Sequence, residues 1–85
     1  MTQGSHSTWA TTYVNLGSAL SKLGQYKEAC DSYRKVLEID PRHATALALT
    51  GKNYMFLGEF DSAILKFHEV RKEEPLSFFL YFLII

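Results

Sequence analysis

Apolar residues recur along this chain with the period of a helix, in stretches separated by glycine or proline. Between about residues 26 and 39, Ala29, Tyr33, Val36 and Leu37 share one helical face. Between about 60 and 72, Ala63, Phe67 and Val70 repeat that arrangement. The pattern predicts two further helices, one at about 8–22 capped by Ser7 or Thr8 and one at about 44–57. Gly24 and Gly58 supply the left-handed residue at which helices commonly stop. Asp40-Pro41 closes the second helix and Pro75 follows the fourth, because the residue before a proline is biased out of the helical region. Four helices with short connections make two antiparallel hairpins, so the expected fold class is all-α.

The two hairpins are copies of one pattern. Gly17, Gly24, Ala29 and Pro41 recur 34 residues later as Gly51, Gly58, Ala63 and Pro75. Ala10, Thr11, Leu23 and Val36 recur as Ala44, Thr45, Leu57 and Val70. A fixed period of this length marks stacked structural units. The first copy reads Tyr13, Leu16-Gly17, Leu20, Gly24, Tyr26, Ala29, Tyr33, Pro41, and the second Leu47, Thr50-Gly51, Tyr54, Gly58, Phe60, Ala63, Phe67, Pro75. In this order the residues resemble the tetratricopeptide repeat. Leu20 stands where that family has an aromatic, and Thr50 where it has a leucine. The resemblance implies an α-solenoid with repeats at 10–43 and 44–75, after a flexible segment at 1–9. Gly17, Ala29, Gly51 and Ala63 then sit where helices cross, and Tyr13, Tyr26, Tyr33, Tyr54, Phe60 and Phe67 fill the space around them.

Residues 76–85, Leu-Ser-Phe-Phe-Leu-Tyr-Phe-Leu-Ile-Ile, are almost wholly apolar. Ten helical residues rise about 15 Å, about half of a bilayer core, so the segment is too short to span a membrane. It falls in register with the opening helix of a third repeat, Tyr81 and Ile84 taking that helix's apolar positions and Ile85 its glycine position. The expectation is a short C-terminal helix that caps the second hairpin. The alternative is the end of a truncated repeat whose Phe78, Phe79 and Phe82 mediate self-association or membrane attachment.

Composition narrows the chemistry. Nine basic and nine acidic side chains balance, so no global field draws the chain to nucleic acid or to an acidic surface. Arg34, Lys35, Arg71 and Lys72 alternate with Glu38, Glu69, Glu73 and Glu74, the pattern of a solvated helix face. An apolar content of 47% is that of a folded domain, and residues 1–8 have neither the basic flank nor the apolar run of a secretory signal. Cys30 is the single cysteine, which favours a reducing, cytoplasmic setting and a small buried side chain over a reactive thiol. His6, His43 and His68 have no metal-ligand spacing, and Gly17 and Gly24 belong to the repeat and not to a phosphate loop. The chain is therefore read as non-catalytic, with no cofactor, metal or small-molecule substrate.

What remains is a binding surface. The resemblance implies a concave face formed by the first helix of each repeat. It carries Thr11, Val14, Asn15, Ser18 and Ser21 from the first copy and Thr45, Ala48, Leu49, Lys52, Met55 and Phe56 from the second. Asn15 both donates and accepts hydrogen bonds, as a peptide backbone requires, and Lys52 offers a charge to a carboxylate or phosphate. Leu49, Met55 and Phe56 add apolar contact, with methionine the most adaptable. The lysine and asparagine pattern with which co-chaperone members of the family hold a terminal carboxylate is missing: Val14, Ser18, Leu49, Phe79 and Leu83 occupy those positions. The expectation is a protein-interaction module that binds a peptide segment of a protein partner, with Thr11, Asn15, Ser18, Thr45, Leu49, Lys52, Met55 and Phe56 as contact residues.

Overall fold

A computed structural model describes residues 2–73 together with Leu76 and Leu83, with side chains for 8–72, Leu76 and Leu83. It contains four helices: α1 (Thr2–Lys22), α2 (Tyr26–Ile39), α3 (Ala44–Phe56) and α4 (Phe60–Glu73). Among the described residues there is no strand. α1 packs on α2, α2 on α3 and α3 on α4, and α1 also touches α3, so two hairpins stack one on the other. Of the capping or truncated helix expected at 76–85 only Leu76 and Leu83 are described, both helical and exposed, and the self-association expected of Phe78, Phe79 and Phe82 lies outside the described residues.

The two hairpin turns are copies in hydrogen bonding as well as in sequence. Gly24 has φ +83° and Gly58 φ +79°, the left-handed conformation that a residue with a Cβ adopts at a cost. That turn brings the Gln25 amide onto the Leu20 carbonyl at 2.9 Å and the Glu59 amide onto the Tyr54 carbonyl at 2.8 Å. Each bond gives a carbonyl of the last helical turn a partner from beyond the helix end. Between the hairpins, the Asp40 amide closes α2 on the Val36 carbonyl at 2.8 Å. His43 then opens α3, its Nδ1 accepting the Ala46 amide at 3.2 Å.

α1 begins earlier than the pattern predicts. It starts at Thr2, so Ser7 and Thr8 lie within it and not at its start, and the Thr12 hydroxyl donates to the Thr8 carbonyl at 2.8 Å. Residues 2–8 have no apolar periodicity, so the pattern carries no signal for this part of the helix.

Close approach of the helices rests on two bare backbone positions. A Cβ on Gly17 would fall into the ring of Tyr33, and one on Gly51 would lie 2.9 Å from Phe67 Cε1. The core forms two clusters. Ala10, Val36 and Ala46 make one, backed by Trp9, Tyr13 and Val14, and Leu47, Ala48 and Val70 make the other. Leu37 packs against both and joins the hairpins. Trp9 lies 4.8 Å from Tyr13, ring to ring, on α1. Of the aromatics expected inside, Tyr33 is buried, Tyr13, Tyr26, Tyr54 and Phe67 are half-buried, and Phe60 is exposed. Phe60 is the first residue of α4.

Candidate functional site

The surface built by α1 and α3 is shaped first by what the core removes from it. Ala48 is buried against Leu47 and Val70, and Val14 packs against the first core cluster, so neither is a free contact residue. Ser21 donates to Asn53 Oδ1 at 2.7 Å. Ser18 Oγ and the Tyr33 hydroxyl oxygen are 3.3 Å apart, and either can donate. Ser18 is thus half-buried and committed to holding Tyr33, which weakens its claim as a contact residue.

Thr11 and Asn15 are exposed one turn apart on α1. On α3, Thr45, Leu49 and Lys52 are half-buried and Met55 and Phe56 are exposed. The spacings 11, 15, 18 and 45, 49, 52, 56 each follow one side of a helix. Two of the expected residues are brought together directly. Lys52 Nζ lies 6.0 Å from the centroid of the Phe56 ring, the reach of a cation–π contact. Phe56 in turn stacks on Tyr26 of α2, at 4.9 Å and 20° between planes. An aromatic pair with a cation over it therefore stands at one end of the surface.

The side chain that organises the joint between the hairpins is Asn53, which pattern reading passes over. It is 1% exposed, takes the Ser21 hydroxyl and lies within hydrogen-bonding reach of the Tyr33 hydroxyl. Ser32 donates to the Tyr13 carbonyl at 2.7 Å and Thr50 to the Ala46 carbonyl at 2.7 Å. No repeat signal points to these three, because their partners in the other copy are Ala19, Lys66 and Leu16. Burial pushes the Tyr33 hydroxyl above its ordinary pKa, against the hydrogen bonds from Ser18 and Asn53. Burial likewise raises the Cys30 thiol, against nearby Arg34, which keeps it protonated and unreactive near neutral pH.

Elsewhere, a cleft of about 490 Å³ is lined by Tyr54 and by Leu65, Lys66, Glu69 and Lys72 of α4, and by none of the expected contact residues. Its Lys66 and Glu69 pair with each other at 3.4 Å. Among the described residues there is no group of three or more metal-ligating side chains, and no helix is long and apolar enough to cross a membrane.

Residues 10–43 match the family model of the tetratricopeptide repeat. The chain is 33% identical over 72 residues to the human (Homo sapiens) cell division cycle protein 16 homolog, an alignment covering 81% of this chain and 12% of that protein. It is 31% identical over 65 residues to the peptidyl-prolyl cis-trans isomerase PASTICCINO1 of Arabidopsis thaliana, covering 76% of this chain and 10% of the isomerase. It is 35% identical over 60 residues to tetratricopeptide repeat protein 14 of Mus musculus, covering 71% and 8%. The chain thus spans about an eighth or less of the length of the curated relatives it matches.

Proposed function

Because the chain carries the tetratricopeptide repeat, at residues 10–43, we propose that it is a protein-interaction module that takes a peptide segment of a partner across the face shared by α1 and α3. The observation that carries this reading is the set of side chains that the core leaves over on that face. Thr11 and Asn15 offer hydrogen bonds, Lys52 a charge, and Leu49, Met55 and Phe56 apolar area. The Tyr26–Phe56 stack gives the surface a rigid anchor, since a held aromatic loses little freedom on binding. Lys52 beside it favours a segment that pairs an apolar side chain with a carboxylate or phosphate.

A non-catalytic role belongs to the same proposal. The isomerase among the relatives shares a stretch amounting to 10% of its length, so its activity does not transfer to this chain. Among the described residues every buried side-chain nitrogen or oxygen has a hydrogen-bond partner, which supports structural duties for Ser32, Tyr33, Thr50 and Asn53. An intracellular setting is part of the reading and is supported by the free, buried thiol of Cys30.

The test is selection of binders from a displayed peptide library, followed by affinity measurement on Asn15→Ala combined with Lys52→Ala. The expected loss is about tenfold, equivalent to about 1.4 kcal/mol. A folded double variant that binds the selected peptides as tightly as the parent chain would sink the proposal.

A further inference from the structure

The joint between the two hairpins, displaced by one repeat, describes both ends of the stack. At the joint, α2 presents Tyr26, Cys30 and Tyr33 to α3, which answers with Phe56, Thr50 and Asn53. Tyr26 stacks on Phe56. Cys30 shares a cleft with Thr50. The Tyr33 hydroxyl reaches Asn53. One period further on, α4 carries Phe60, Ile64 and Phe67 at the α2 positions. One period back, α1 carries Lys22, Leu16 and Ala19 at the α3 positions.

At two of the three pairs, the displaced positions change from buried to more exposed. Cys30 is 6% exposed and Ile64 53%, and Thr50 is 4% exposed and Leu16 48%. They also change in chemistry, and they change in pairs. The polar pair Tyr33 and Asn53 becomes Phe67 and Ala19, so the hydroxyl and the amide, which lie close together at the joint, are lost together. A buried polar group with one partner removed is costly, whereas replacement of both by apolar groups is close to neutral. Ser21, which serves Asn53, becomes Met55. Cys30 and Thr50 become Ile64 and Leu16, a purely aliphatic contact. The Tyr26–Phe56 stack becomes Phe60 and Lys22, an aromatic ring and a cation.

We propose that the α4 face of one copy of this chain docks on the α1 face of a second copy, in the register in which α2 docks on α3. Formal net charge is zero, so no overall charge repulsion between copies opposes association. The two faces differ, so the interface is head-to-tail and leaves one free face of each kind on every assembly. Association therefore continues past the dimer as concentration rises.

The experiment is sedimentation equilibrium of the full chain from micromolar to millimolar concentration. The mass is expected to climb from 9.7 kDa past twice that value. Leu16→Glu blocks the α1 face and Ile64→Glu the α4 face, and each variant alone is expected to lose self-association. An equimolar mixture of the two retains one intact face of each kind and is expected to stop at a one-to-one dimer. Both positions are about half exposed, so melting curves should show both variants folded; Ala19→Arg replaces Leu16→Glu should the latter unfold. A parent chain that stays monomeric at millimolar concentration overturns the proposal. So do single variants that associate as the parent does, which would place the contact on another surface such as the apolar residues 76–85.

Discussion

Gly17 and Gly51 hold the same place in the repeat but do not bear the same load. The ring over Gly17 belongs to Tyr33, which is buried and has its hydroxyl in hydrogen-bonding reach of Ser18. The ring over Gly51 belongs to Phe67, which is half-buried, and an added Cβ would lie 2.9 Å from its edge and not inside the ring. Gly17→Ala should therefore destabilise the chain by about 1–3 kcal/mol through overpacking. Gly51→Ala should cost less and come close to neutral, because its overlap is smaller and alanine gains up to about 1 kcal/mol in helix propensity. Chemical denaturation of both variants checks the ranking, and equal losses would contradict it. Burial gives a second prediction at this scale. The folded state holds Cys30 above its ordinary value of 9.0 and Tyr33 above 10.0, so the unfolded chain releases these protons first. Their contribution to stability is complete below pH 9 and falls as the pH rises above it. Thermal melts should show the decline from pH 9 upward, and its onset should move toward pH 10 in Cys30→Ala. A flat profile to pH 11 would count against the assignment. The small and aromatic members of this set are legible in the sequence because they recur. Asn53 is not, since its counterpart is Ala19 and a polar residue amid a helix reads as surface.

At the scale of elements, the breaks between helices were the most readable feature. The predicted boundaries at 26–39, 44–57 and 60–72 fall within one residue of α2, α3 and α4. Glycine in a left-handed turn and proline after a helix act locally, so their effect needs no knowledge of packing. The start of α1 was not readable, because hydrophobic periodicity reports only the part of a helix that packs. Gly24 and Gly58 make a testable pair. Alanine at φ near +80° costs about 1–2 kcal/mol, and neither glycine has any atom within 4 Å of an added Cβ. Gly24→Ala and Gly58→Ala should thus lose stability by similar amounts from backbone strain alone. A melting temperature left unchanged by either would remove the turn from the account.

For the molecule as a whole, the helices stack so that one repeat closes the next, and two surfaces result from that single arrangement. The α1–α3 face is what the core leaves over, and its candidates are only partly those read from the sequence. Thr11, Asn15, Lys52, Met55 and Phe56 remain available, whereas Ser18 is drawn into the joint. A family pattern places residues on the face of one repeat; it is contact between repeats that decides which of them are consumed. The end faces of α1 and α4 follow from the same geometry displaced by one period. The central claim is that partners meet the chain on the α1–α3 face. Its most direct test is the mapping of amide shifts by NMR as a library-selected peptide is titrated into the labelled chain. The largest shifts are expected at Thr11, Asn15, Leu49, Lys52 and Phe56. Shifts confined to α2 and α4, with these five unmoved, would contradict it.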